Sequence, residues 1–278
     1  MKQPVVEGFD PEMFNFYANP PTFEGTDLKI VEFPSRILRD ENTPIVDFDD
    51  KLAELCKEMF SVMYAAKGVG IAAPQVGLNL KLFVYNTDPS APGMLRRMGE
   101  HVVVNPKIVQ YCQRTETDIE GCLSSRAECC RGDICRAYEI DVEYQDERGR
   151  LKQKKLRGFE ARVFQHEFDH INGVLHIDRQ SPADRVRIQP FLDVLIDEHG
   201  PGGVLTPDPV VLASLPPVVG AEPGQKAAAA AAAATPAPAR QKAGAVASSN
   251  GFGGAAKTKG FGAGGGAGAA KPKKKKKR

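Results

Sequence analysis

His166 and His170 bracket Glu167 in the stretch Gln165-His166-Glu167-Phe168-Asp169-His170. A helix stacks residues four apart on one face, so the two imidazoles can grip a single metal ion while the glutamate beside them moves protons. The chemistry of such a set is metal-assisted hydrolysis. Two residues compete for a third ligand position. One is Cys122, within Glu120-Gly121-Cys122-Leu123-Ser124; the other is His176, six residues past His170.

Each candidate implies a different enzyme. His176, with Gly173 between, completes the long zinc signature of the metzincin endopeptidases, which also requires a methionine turn later in the chain. All six methionines lie at or before Met98, so the second half of that signature is missing. Cys122 gives two imidazoles and one thiolate, a borderline-soft donor set that holds a divalent transition ion tetrahedrally and leaves one position for water. Such an ion lowers the pKa of its water. Glu167 can then take the water's proton and pass it to a departing amine.

Three segments keep one order within about a hundred residues: Gly68-Val69-Gly70-Ile71-Ala72-Ala73-Pro74-Gln75-Val76-Gly77, Glu120-Gly121-Cys122-Leu123-Ser124 and the histidine stretch. Together they resemble the peptide deformylases, which remove the formyl group from the initiator methionine of nascent chains. The resemblance covers roughly residues 27 to 190 and is nearest to the plant and algal organellar type. It implies Cys122, His166 and His170 as ligands, Glu167 as general acid and base, and the Gln75 amide and Leu123 N–H as donors to the oxyanion. It further implies that Gly70, Gly121 and Val163 border the substrate, Gly70 by letting the substrate backbone approach, and that Glu120 and Gln165 orient the ligands. The implied cofactor is one divalent ion per chain, Fe(II) with Zn(II) or Ni(II) able to replace it. Formyl-methionyl nascent peptides are the implied partners and a chloroplast or other organelle the implied compartment. After Ser124 the family's Val-Pro-Gly continuation is replaced by Ser125-Arg126-Ala127-Glu128-Cys129-Cys130-Arg131-Gly132-Asp133, about two residues longer. That loop is expected at the substrate-side wall.

The positioning elements can be read from periodicity and caps. Asp49 and Asp50 cap a helix with Leu52, Leu55, Cys56, Met59 and Met63 on one face. Leu80 to Asn86 and His101 to Asn105 read as strands, and Ile140 to Tyr144 with Leu151 to Leu156 as a hairpin around Asp146-Glu147-Arg148-Gly149. The metal helix is expected from Phe159 to Asn172, stopping at Gly173, with apolar stripes on two sides. Ser181-Pro182 starts a last helix that Gly200 ends. The expected fold is α+β, with antiparallel strands packed around a central metal-binding helix in a single catalytic domain.

Composition bounds that domain. Residues 1 to 25 read as an extension, 26 to 200 as the catalytic domain, and 201 to 278 as a disordered tail rich in Ala, Gly, Pro and Lys. Residues 225 to 278 carry twelve Lys or Arg and no acid, which leaves the rest near −10 although the whole chain is +2. A ribosome or other RNA surface is the expected partner of that basic tail. No apolar stretch approaches the ~20 residues of a membrane helix, so no membrane is expected. The first residues, with Lys2 as their only basic side chain, do not read as a transit peptide. Cys122, Cys129, Cys130 and Cys135 fall within fourteen residues without a Cys-x-x-Cys pair, and Cys129, Cys130 and Cys135 are expected as free thiols rather than a second metal or redox site. Two further classes of function remain open: a thiol enzyme with Cys122 as nucleophile, and an inactive or altered-specificity protein of the same fold serving as a binding module.

Overall fold

Asp49 accepts a hydrogen bond from Leu52 N at 3.0 Å and so caps helix α1, Asp50–Ala65, which buries Leu52, Cys56, Met59, Phe60, Val62 and Met63. The computed structural model describes residues 18–88, 90, 97–126 and 128–214. These fall in the compact unit Met1–Pro223; the second unit, Gly224–Arg278, lies outside the described residues. Among the described residues seven strands follow α1: β1 Gly70–Ala72, β2 Leu82–Tyr85, β3 His101–Tyr111, β4 Thr115–Glu120, β5 Gly132–Ala137, β6 Glu139–Gln145 and β7 Leu151–Arg157. Then come helices α2, Gly158–His170, α3, Pro182–His199, and the short α4, Pro209–Ser214.

Five strands pair antiparallel in the order β1-β2-β3-β6-β7, while β4 and β5 form a separate hairpin. Successive side chains of a strand point to opposite faces. Leu82 and Val84 accordingly pack with α1, and Phe83 and Tyr85 with α2. With a helix on each face, β2 is buried throughout, which explains its unbroken apolar run. Phe164 of α2 meets Phe83 edge to face, ring centroids 5.0 Å apart. A third cluster joins Ile188, Leu192 and Leu195 of α3 to Phe33, Leu38, Leu175 and Ile177.

The expected α+β arrangement is present, with differences that have local causes. The metal helix ends at His170, and Gly173 takes φ 72°, where an added Cβ would lie 2.8 Å from the Arg39 carbonyl oxygen. β3 runs past Asn105 to Tyr111 because Asn105, at φ 48°, bonds the backbone of Ile45 on both sides and the strand resumes after a register shift. Strands β1, β4 and β5 carry no alternation readable in sequence. β1 is only three residues and fully buried, and four of the six residues of β4 are exposed.

The packed region extends beyond 26 to 200 at both ends. Phe23 is buried against α1, and Asn19 Nδ2 donates to Leu123 O at 2.8 Å. Val204 N donates to Pro34 O at 2.8 Å, so residues just past Gly200 rest on the domain instead of starting a tail. The expected tail from residue 215 onward lies outside the described residues. All six cysteines are free, but Cys129 and Cys130 of the loop and Cys135 of β5 are buried, so the loop is a packed segment. Among the described residues no helix is long and apolar enough to cross a membrane.

Candidate metal centre

Helix α2 presents His166 and His170 on one face with ring centroids 5.2 Å apart. Cys122 approaches that face from the end of β4, just before a short 3-10 turn, Leu123–Ser125. One ligand atom from each of Cys122, His166 and His170 lies within 4.8 Å of the others, and Cys122 Sγ stands 3.1 Å from His170 Nε2. His176, the rival for the third position, points elsewhere: its Nε2 meets the Cys130 carbonyl oxygen at 3.0 Å.

The donor set fits a borderline transition ion. Burial, with the charge on His166 added, holds His170 well below the usual imidazole range, so it is neutral and offers a lone pair. His166 Nδ1 meets Glu120 Oε2 at 2.9 Å, an arrangement that assigns the other ring nitrogen to the metal side. Burial works against a charge on His166, but the Cys122 sulfur and Glu120 beside it raise its affinity for a proton well above the ordinary value. A cation at the same place competes with that proton.

Glu120 is itself fixed. Burial would raise its pKa, yet Arg136 and His166 hold it well below the carboxylate range. Arg136 is bidentate to it, Nε to Oε1 at 2.6 Å and Nη2 to Oε2 at 2.9 Å, and reaches on to Asp169 at 2.8 Å. Arg179 closes the chain with two 2.6 Å bonds to Asp169. Arg162 adds a 2.7 Å bond to Glu120 Oε1. None of these arginines was picked out from sequence. The available signal was Arg162 itself, a charged residue one turn before His166 on a helix expected to be buried on two sides. Gln165, expected to orient a ligand, instead ties α2 to β5: its Nε2 donates to Ala137 O at 2.9 Å and to Ala161 O at 3.0 Å.

Glu167 is 3% exposed and its Oε2 has no hydrogen-bond partner among the described residues. Burial pushes its pKa up to about 7, so this carboxyl can take or release a proton near neutrality. A Cβ at Gly70 would lie 2.4 Å from Glu167 Oε1, so Gly70 makes room for this carboxyl, a role distinct from the expected one toward substrate backbone. Gln75, 1% exposed, is oriented by the backbone three residues before it: Oε1 accepts from Ala72 N at 2.8 Å, which aims Nε2 at Cys122 Sγ, 3.4 Å away, and Ser124 Oγ, 3.3 Å away. Leu123 is the first residue of its 3-10 turn, where an N–H has no acceptor within the turn.

Cys122, His166, Glu167, Glu120, Arg162, Gly70, Gln75 and Leu123 border one open cavity of about 720 Å³; His170 does not. Val69, Leu123, Phe159 and Val163 form apolar walls, and Gly70 and Gly121 flank the floor. Glu128 and Arg131 of the atypical loop lie at the rim, while Cys129 and Cys130 of the same loop sit in the third core cluster. β1 ends the five-stranded sheet and β4 has one partner, so each has a side with no strand beside it among the described residues. Residues of both strands line the cavity.

The family model for polypeptide deformylase matches residues 27–186. Peptide deformylase 1B, chloroplastic, of Solanum lycopersicum is 44% identical over 154 residues, covering 55% of this chain and 53% of that protein. Peptide deformylase of Thermotoga sp. (strain RQ2) is 41% identical over 161 residues, 58% of this chain and 92% of that one. The crystal structure of Arabidopsis thaliana peptide deformylase 1B in complex with an inhibitor superposes with TM-score 0.57 at 38% identity, covering 62% of this chain and 92% of that chain. The chain spans about half the length of the plant relatives it matches.

Proposed function

Because this chain belongs to the polypeptide deformylase family, we propose that it is a metal-dependent hydrolase that removes the N-formyl group from the methionine at the start of new polypeptides. The observation that carries the reading is the convergence of Cys122, His166 and His170 beside the Glu167 carboxyl in an open cavity. A divalent ion held by those three residues would supply Lewis acidity and a water of lowered pKa. Fe(II) is the expected ion, and Zn(II) or Ni(II) suits the same donors.

Glu167 takes the proton of the attacking water and delivers it to the amine nitrogen as the C–N bond breaks, so formate leaves and a free methionyl amine remains. Gln75 Nε2 and the Leu123 N–H face the carbonyl oxygen as it gains charge, at ~3 kcal/mol for each such donor. Val163, with Val69 and Phe159, walls the methionine side chain. The peptide backbone lies as an added strand between β1 and β4, with Gly70 and Gly121 close to it.

The chloroplastic names of two plant relatives support an organellar location. The twelve cationic side chains of residues 225–278 supply a contact to ribosomal RNA for an otherwise acidic protein.

The test is release of formate from a formyl-methionyl peptide by protein loaded anaerobically with Fe(II), alongside metal analysis. Turnover that a strong chelator abolishes is the expected result. Turnover that survives chelation would point to a thiol enzyme, and none with the metal fully bound would leave a binding module.

A further inference from the structure

Arg162 lies one helical turn before His166 on α2, is buried, and has three acceptors from the β4–β5 hairpin around its guanidinium. Nη1 donates to Glu120 Oε1 at 2.7 Å and to Ile134 O of β5 at 2.9 Å, and Nη2 donates to Glu116 O of β4 at 2.6 Å. One side chain thus binds both strands of the hairpin and the carboxylate at its end. Cys122 follows that carboxylate by two residues, a separation of at most ~7 Å along the chain. A guanidinium is costly to bury unless its donors are matched, and its fixed fork suits several acceptors at once in a way a lysine ammonium does not.

We propose that Arg162 is a positioning residue of the metal centre: it straps the β4–β5 hairpin to α2 and so sets where Cys122 stands relative to His166 and His170. The proposal rests on reading those three residues as metal ligands. Arg136 also acts on Glu120, but it belongs to β5 itself and reaches α2 through Asp169. Arg162 comes from the ligand helix and grips the hairpin backbone directly.

The experiment compares wild-type protein with Arg162→Lys and Arg162→Met, loaded with Zn(II) for release to a chelator and with Co(II) for the thiolate-to-metal absorption band. Both variants should release Zn(II) about 10 to 100-fold faster than wild type, the range for residues that orient ligands. Both should also show a weakened thiolate band, since the lysine keeps the charge and loses the fork. Wild-type release rates in both variants would overturn the proposal. Full recovery by lysine alone would also overturn it and leave only charge balance. If instead Cys122→Ala holds Zn(II) as tightly as wild type, the ligand reading fails, which is a separate outcome. An arm independent of the variants uses hydrogen exchange on metal-free wild-type protein. There the paired β4–β5 amides should stay protected, because the strap and not the metal holds the hairpin. Exchange of those amides at the rate of an unstructured chain would overturn the proposal even if neither variant folds.

Discussion

Glu167 and the candidate ligands next to it make separable predictions. Glu167→Gln keeps the shape and removes the proton carrier, so the variant should bind metal as wild type does and lose ~100 to 10,000-fold in turnover. Cys122→Ala should lose metal and turnover together, and metal analysis beside the formate assay separates the two cases. Gly70→Ala drives a methyl into the Glu167 carboxyl, 2.4 Å from Oε1, so kcat should fall with the fold and metal content intact. His176 gives a pH signature. Burial, with the charge on His166 added, pushes its pKa down to about 3 from 6.5. The unfolded chain therefore takes up a proton below pH 6.5 that the folded chain refuses until about pH 3. Stability from this residue is intact above 6.5 and lost as pH falls toward 3, by up to ~1.4 kcal/mol per unit. In urea melts at pH 5 to 7, His176→Gln should flatten that slope relative to wild type, and identical slopes would refute the assignment. The candidate ligand pair was legible because one helix turn brings His166 and His170 together. The arginines around Glu120 were not, since Arg136 and Arg162 lie sixteen and forty-two residues away and meet it only in the fold.

Among the elements, α1 and α3 were readable because caps mark their starts: Asp49 for α1 and Ser181, which accepts from Asp184 N at 3.1 Å, for α3. β1 and β4 were not, because their role is to border a cavity and their side chains follow no alternation. The atypical loop was expected to shape the substrate wall, and Glu128 and Arg131 do reach the rim, but the loop is also an anchor. Arg126, at φ 51°, pairs with Glu32 at 3.2 Å and with Glu198 of α3, while Cys129 and Cys130 fill the third core cluster. Replacing the loop by a shorter Val-Pro-Gly form should lower the melting temperature more than it alters KM. Arg126→Ala alone should cost about 1 to 2 kcal/mol, a buried-pair effect reduced by the partial exposure of both glutamates. A denaturant midpoint unchanged in Arg126→Ala would show the anchor to be idle.

At the scale of the whole molecule, charge divides the chain into a body near −10 and a terminal stretch of +12. If that stretch meets ribosomal RNA, affinity should fall with log salt by a slope of ~0.7 for each phosphate neutralised. Removing residues 225–278 should erase salt-sensitive co-sedimentation with ribosomes and leave turnover of a free peptide unchanged. Equal co-sedimentation of both forms at low salt would sink the idea. Among the described residues β1 and β4 each have a side with no strand beside it, and under the proposed peptide-binding mode this has one more consequence. A chain clasped by its amides and carbonyls, with a single side-chain niche at its first residue, is recognised without regard to what sequence follows. If the proposed deformylase reading holds, one catalyst would then serve many different chains. Measured on a library of formyl-methionyl peptides, kcat/KM should vary little with the later residues, whereas a methyl group on the backbone nitrogen after methionine should nearly abolish reaction.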